Sequence, residues 1–94
     1  MSETSTNVIE LYFYEMRHGN LGKSAVVHAY LNDPISKVIE KAARMLDIKA
    51  EEVALVTPDG TPVSISEKGR EKTVRDIVEK YGFTFALLTK DLLG

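Results

Sequence analysis

The sequence predicts an α+β domain in which a mixed β-sheet of four to five strands clasps one long helix, with a short second helix near the end. Three observations carry that expectation. Asp33 to Ile48, DPISKVIEKAARMLDI, repeats apolar residues at helical spacing. Two segments ahead of it, Asn7 to Met16 and Ser24 to Leu31, are rich in β-branched and aromatic residues. Behind it, a capped run from Thr73 to Tyr81 leads directly into the alternating run Phe83 to Thr89.

Residues 1–7, MSETSTN, lack both a basic region and an apolar region and read as a disordered lead, not a signal peptide. A single domain is expected over residues 8–89, with a flexible tail at 90–94. In the first strand one parity carries Ile9, Leu11 and Phe13, and these are assigned to the core. The other parity carries Val8, Glu10, Tyr12 and Tyr14, a mix of charge and tyrosines that keeps its hydroxyls wet. His18 to Lys23, HGNLGK, holds two glycines and an asparagine, which suits a hairpin loop. In the second strand Ala25, Val27, Ala29 and Leu31 face inward, and Val26, His28 and Tyr30 face out. A hairpin of the two strands then gathers Tyr12, Tyr14, His28 and Tyr30 on one outer surface, where each cross-strand pair is worth roughly 0.2–1 kcal/mol.

The long helix opens on Asp33 as a cap and Pro34 at the first helical position. Ile35, Val38, Ile39, Ala42 and Leu46 form its buried stripe, with Lys37, Glu40, Lys41 and Arg44 on the other side. Glu52 to Val56 reads as a third strand, Thr57-Pro58-Asp59-Gly60 as a tight turn, and Thr61 to Ile65 as a short returning strand. Ser66 to Lys72, SEKGREK, is expected to be a solvated charged loop. Thr73 and Asp76 form a capping-box pattern for the second helix, whose inner side is Val74, Ile77, Val78 and Tyr81, and Gly82 is its stop. In the last strand Phe85 and Leu87 point in, while Ala86 and Leu88 point out.

Composition bounds the function. The chain has 94 residues, 44% apolar and 28% charged, with a formal net charge of -2. That balance argues against nucleic-acid binding, which needs an excess of cations to displace counterions. The absence of cysteine excludes disulfides, thiolate metal sites and a cysteine nucleophile, and fits a cytoplasmic protein. No apolar run approaches the ~20 residues that span a bilayer, so no membrane partner is expected. HGNLGK lacks the glycine spacing of a phosphate-cradling loop. His18, His28 and the scattered carboxylates show no paired-acid or metal-ligand pattern, so neither an enzyme, a metal nor a cofactor is expected.

The order strand, strand, helix, strand, short strand, short helix, strand is the β-grasp arrangement. Over Val8 to Gly94 the chain resembles the ubiquitin-like family in pattern and spacing. DPISKVIEKAARMLDI is similar to that family's helix, and the Thr-Val-x-Asp helix followed by FTFALLTKDLLG is similar to its closing segment. The resemblance implies a modifier activated at the Gly94 carboxylate by an ATP-dependent activating enzyme, which would grip Leu92 and Leu93, and then joined to target lysines. A terminal glycine, having no Cβ, lets the carboxylate approach nucleotide and thiol closely. The family's usual end is a double glycine; Leu93 before Gly94 departs from it, as in those modifiers that end in a hydrophobic residue and one glycine, and argues against the sulfur-carrier branch. The resemblance also implies an apolar partner patch, in which Val56 matches the central isoleucine and Ala54, Ala86 and Leu88 lie near it. Two readings stand: a covalent modifier, and a non-covalent protein-interaction module with no conjugation.

Overall fold

A two-residue reversal organises the first half of the sheet. His18 and Gly19 both take positive φ (51° and 81°), the geometry whose twist matches that of paired strands. In the computed structural model, which describes residues 8–89, β1 (Val8–Arg17) therefore pairs antiparallel with β2 (Asn20–Tyr30). The expected loop at 18–23 is corrected: only His18 and Gly19 turn, and Asn20 to Lys23 continue the strand. A bulge between Tyr14 and Met16 absorbs the extra residue.

The four-stranded sheet has the order β2-β1-β6-β3. β6 (Thr84–Thr89) runs parallel to β1, and β3 (Val53–Val56) runs antiparallel to β6. Helix α1 (Ile35–Met45) lies across one face and buries Ile35, Val38, Ile39, Ala42 and Ala43, with Leu46 just beyond its end. Opposite them the sheet contributes Leu11, Phe13, Val27, Leu55, Phe85 and Leu87. Phe13 and Phe85, neighbours in the parallel register, stack with ring centroids 5.7 Å apart. Helix α2 (Val74–Tyr81) closes the end of this core with Val74 and Ile77, each 0% exposed. Its Thr73–Asp76 capping box forms as expected.

Three local expectations are revised. Asp33 does not cap α1: Pro34 is extended (φ -64°, ψ 140°) and stands at the cap position itself, one residue later than expected. Thr61 to Ile65 does not form a strand, because Pro62 has no N–H to give to a ladder; only a bridge between Val56 and Pro62 forms. The charged stretch 66–72 is not a plain loop but a small hairpin, β4 (Ser66–Glu67) with β5 (Arg70–Glu71), turned at Lys68 and Gly69.

Candidate functional site

The face of the sheet turned away from α1 is the candidate site. Strand parity and register decide its membership. Val8, Glu10, Tyr12 and Tyr14 of β1 stand opposite Tyr30, His28, Val26 and Ser24 of β2, so the two alternating sets share a side. The expected gathering of Tyr12, Tyr14, His28 and Tyr30 is found there. Val8, Tyr12, Val26 and Tyr30 remain 46, 40, 39 and 55% exposed, and Leu21 extends the apolar surface toward the turn at 46%.

One polar group crosses this surface. Glu10 accepts the Tyr12 hydroxyl at 3.1 Å through one oxygen and faces His28 Nε2 at 3.2 Å through the other. The hydrogen bond to Glu10, and then its negative charge, hold the Tyr12 phenol above its ordinary value. The carboxylate thus sits between two aromatic side chains and fixes their relative placement.

The patch expected at Ala54, Val56, Ala86 and Leu88 is brought together by register, Val56 opposite Ala86 and Ala54 opposite Leu88. Its exposure is corrected. Val56 is 3% exposed and Ala86 0%, because they pack with Met16 into a small second core that Tyr14 and Leu88 cover in part. The β1–β2 register shifts between Tyr14 and Met16, where Glu15 alone faces Gly22 and Lys23 of β2; Met16 belongs to this cluster and Tyr14 packs against it. The exposed apolar surface therefore lies over β1 and β2 instead. Val26 and Val8 were legible there from alternation alone; Leu21 was not, since its segment reads as a loop. Leu92, Leu93 and Gly94 lie outside the described residues.

Among the described residues no polar or charged side chain is buried. Among them, too, no group of three or more His, Cys, Asp or Glu is placed to hold a metal ion. No described helix is long and apolar enough to cross a membrane.

No protein-family model matches the sequence, and no curated protein matches it. Solved structures do. The RA domain of a guanine nucleotide exchange factor for Rap1 superposes with a TM-score of 0.60 at 19% identity, covering 99% of this chain and 85% of that one. A de novo designed protein based on ubiquitin gives 0.56 at 14% identity, covering 89% and 93%. Ubiquitin of Caldiarchaeum subterraneum gives 0.51 at 17% identity, covering 90% and 99%. The fold is the ubiquitin-like β-grasp. At these identities the likeness is one of architecture, and the ubiquitin-like domain described above carries its own surface on that frame.

Proposed function

We propose that this chain is a ubiquitin-like protein-interaction module that receives a partner protein on the outer face of β1 and β2. The observation that carries the reading is the half-exposed apolar surface of two cross-strand pairs, Val8 with Tyr30 and Tyr12 with Val26, on either side of the Glu10–His28 pair, set on a sheet whose other side is filled by α1. Exposed apolar side chains grouped around a polar pair mark interaction sites on small domains, and tyrosine is favoured at them because its ring packs while its hydroxyl stays wet. The RA-domain and ubiquitin likenesses support a role in binding proteins.

A second reading, the covalent modifier, is favoured by the position of β6. Among the described residues it is the last strand, and its final residue, Thr89, stands at the end of the ladder opposite Val53. In this reading the Gly94 carboxylate is adenylated, passed to a thiol and transferred to a lysine amine as an isopeptide bond, with Leu92 and Leu93 held by the activating enzyme.

One experiment addresses both. A photo-crosslinking residue is placed at Val26 or, as a control, at Arg44 on the exposed side of α1, in host extract with and without ATP. The module predicts adducts from position 26 that do not need ATP and that disappear with Tyr12→Ala. The modifier predicts ATP-dependent adducts without illumination that are lost when Gly94 is deleted. Equal crosslinking from both positions would overturn the face assignment.

A further inference from the structure

Between α1 and the free side of β3 the core comes to the surface. Ile39, Leu55 and Val63 are core residues that keep 8, 6 and 7% exposure, and they lie together at the floor of an open groove of about 490 Å³. Ligand sites typically fall between roughly 300 and 1,000 Å³. Val53 is half-buried along one side, and Ile65, 38% exposed, stands on the other.

The backbone adds a second feature. Val63 N–H donates to the Leu55 carbonyl at 3.0 Å, on the side of β3 that β6 does not occupy. Residues of one strand parity turn their carbonyls the same way, so Val53, whose N–H closes the 3-10 turn over Ala50–Glu52, presents its C=O to that free side, beyond the point where residues 62–63 pair with the strand. An extended chain lying in the groove therefore meets an apolar floor and a strand edge together.

The rim supplies the charge. Glu40 and Glu51 line the groove, and no lysine or arginine does. Neither glutamate pairs with a cation among the described residues. Glu40 and Glu51 also border the adjoining depression, whose one cation among the described residues is Arg44. We infer that this groove docks an extended segment of a partner protein in which an aliphatic side chain is flanked by lysine or arginine. The aliphatic group fills the space over Ile39, Leu55 and Val63, the segment's backbone meets Val53, and its cations face Glu40 and Glu51. This site is independent of the outer sheet face.

The test is an amide-resolved NMR titration of the full chain with a blocked Lys-Val-Leu-Val-Lys peptide, repeated with both lysines replaced by glutamate. Saturable shifts centred on Val53, Ala54 and Val63 are expected with the lysine peptide only. Glu40→Lys with Glu51→Lys, both at exposed positions, should weaken binding about threefold to tenfold. Ile65→Asp should abolish it, and Tyr12→Ala should leave it unchanged. No saturable binding up to about 1 mM, equal binding of the glutamate peptide, indifference to Ile65→Asp, or shifts on β1 and β2 would each overturn the inference. Concentration-dependent loss of the groove signals without peptide would overturn it in favour of a second copy as the occupant.

Discussion

Glu71, at the end of the β4–β5 hairpin, accepts the backbone N–H of Ser36 at 2.6 Å, across a sequence separation of 35. The first turn of α1 is thus capped from outside its own segment. Lys72 adds its carbonyl to the Ile35 N–H at 3.0 Å, and in return the N–H groups of Val74 and Arg75 go to the carbonyls of Asp33 and Leu31. The two helix starts complete each other's unsatisfied groups. Asp33, released from capping, accepts the Tyr30 N–H and lies 3.7 Å from the Lys37 ammonium.

A pH dependence follows from that cap. Hydrogen bonds from Ser36, its side chain first and then its N–H, hold the Glu71 carboxyl below its ordinary value. A group depressed in the folded state contributes stability that is complete above its unfolded value and is lost as pH falls through its folded value. Glu71→Gln should therefore be less stable than the parent at neutral pH and indistinguishable from it in acid, below the ordinary glutamate range. Glu71→Ala, which also removes the acceptor, should cost about 0.5–1 kcal/mol at neutral pH, the lower part of the range for a lost cap because the site is exposed. Urea unfolding of the three proteins across a pH series measures both differences. A gap that persists unchanged into acid would refute the assignment.

The end of α1 supports a stabilising substitution. The Asp47 N–H reaches Arg44 O at 3.2 Å and the Ile48 N–H reaches Ala43 O at 2.9 Å, the paired bonds of a Schellman stop, with Asp47 at φ 61°. An aspartate there bears the left-handed conformation and also places a negative charge at the negative end of the helix. Asp47→Gly relieves both. After the entropy that glycine loses on folding, a gain of about 0.5–1 kcal/mol is expected, read as a higher denaturation midpoint with an unchanged slope.

At α2 the sign is reversed. Gly82 follows the helix at φ 87° and ψ -153°, a region that side chains hardly enter, although nothing lies within 4 Å of a Cβ built there. Gly82→Ala should therefore cost about 1–3 kcal/mol through backbone strain alone. Thr73→Ala, which removes the capping-box hydroxyl that Asp76 N–H meets, should cost about 1 kcal/mol. Thermal unfolding of the two single variants and their double tests whether these effects add, as distinct terms at opposite ends of one helix should.

The frame was legible in the sequence wherever one physical signal dominated. The α1 stripe, the inward parities of β1, β2 and β6, and the Thr73–Asp76 box each depend on local spacing, and each is found. What spacing could not show was supplied from a distance or by the backbone. The α1 cap comes from Glu71, far along the chain, and the α1 stop comes from an aspartate in a conformation usually left to glycine. The outer surface was legible as a set of side chains, but parity alone does not say which of them neighbours will cover. Ala86 is small enough to vanish among Tyr14, Met16 and Val56, and that moved the open apolar surface from β3 and β6 to β1 and β2.

That shift separates two valines that the sequence would treat alike. Val56 is 3% exposed inside the second core, whereas Val26 is 39% exposed on β2. Truncating Val56 to Ala removes buried methyl groups and leaves a gap beside Met16 and Ala86, so it should cost about 1–3 kcal/mol of stability. Truncating Val26 to Ala removes methyl groups that are already partly in water and lowers strand propensity, at most about 1 kcal/mol. In binding the order should invert: Val26→Ala weakens capture of a partner on the β1–β2 face, and Val56→Ala, once folded, leaves it nearly intact. Urea unfolding paired with crosslinking from Tyr30 measures both quantities on each variant. If Val56→Ala proved neutral in stability yet destroyed partner capture, the recognition surface would lie over β3 and β6 after all.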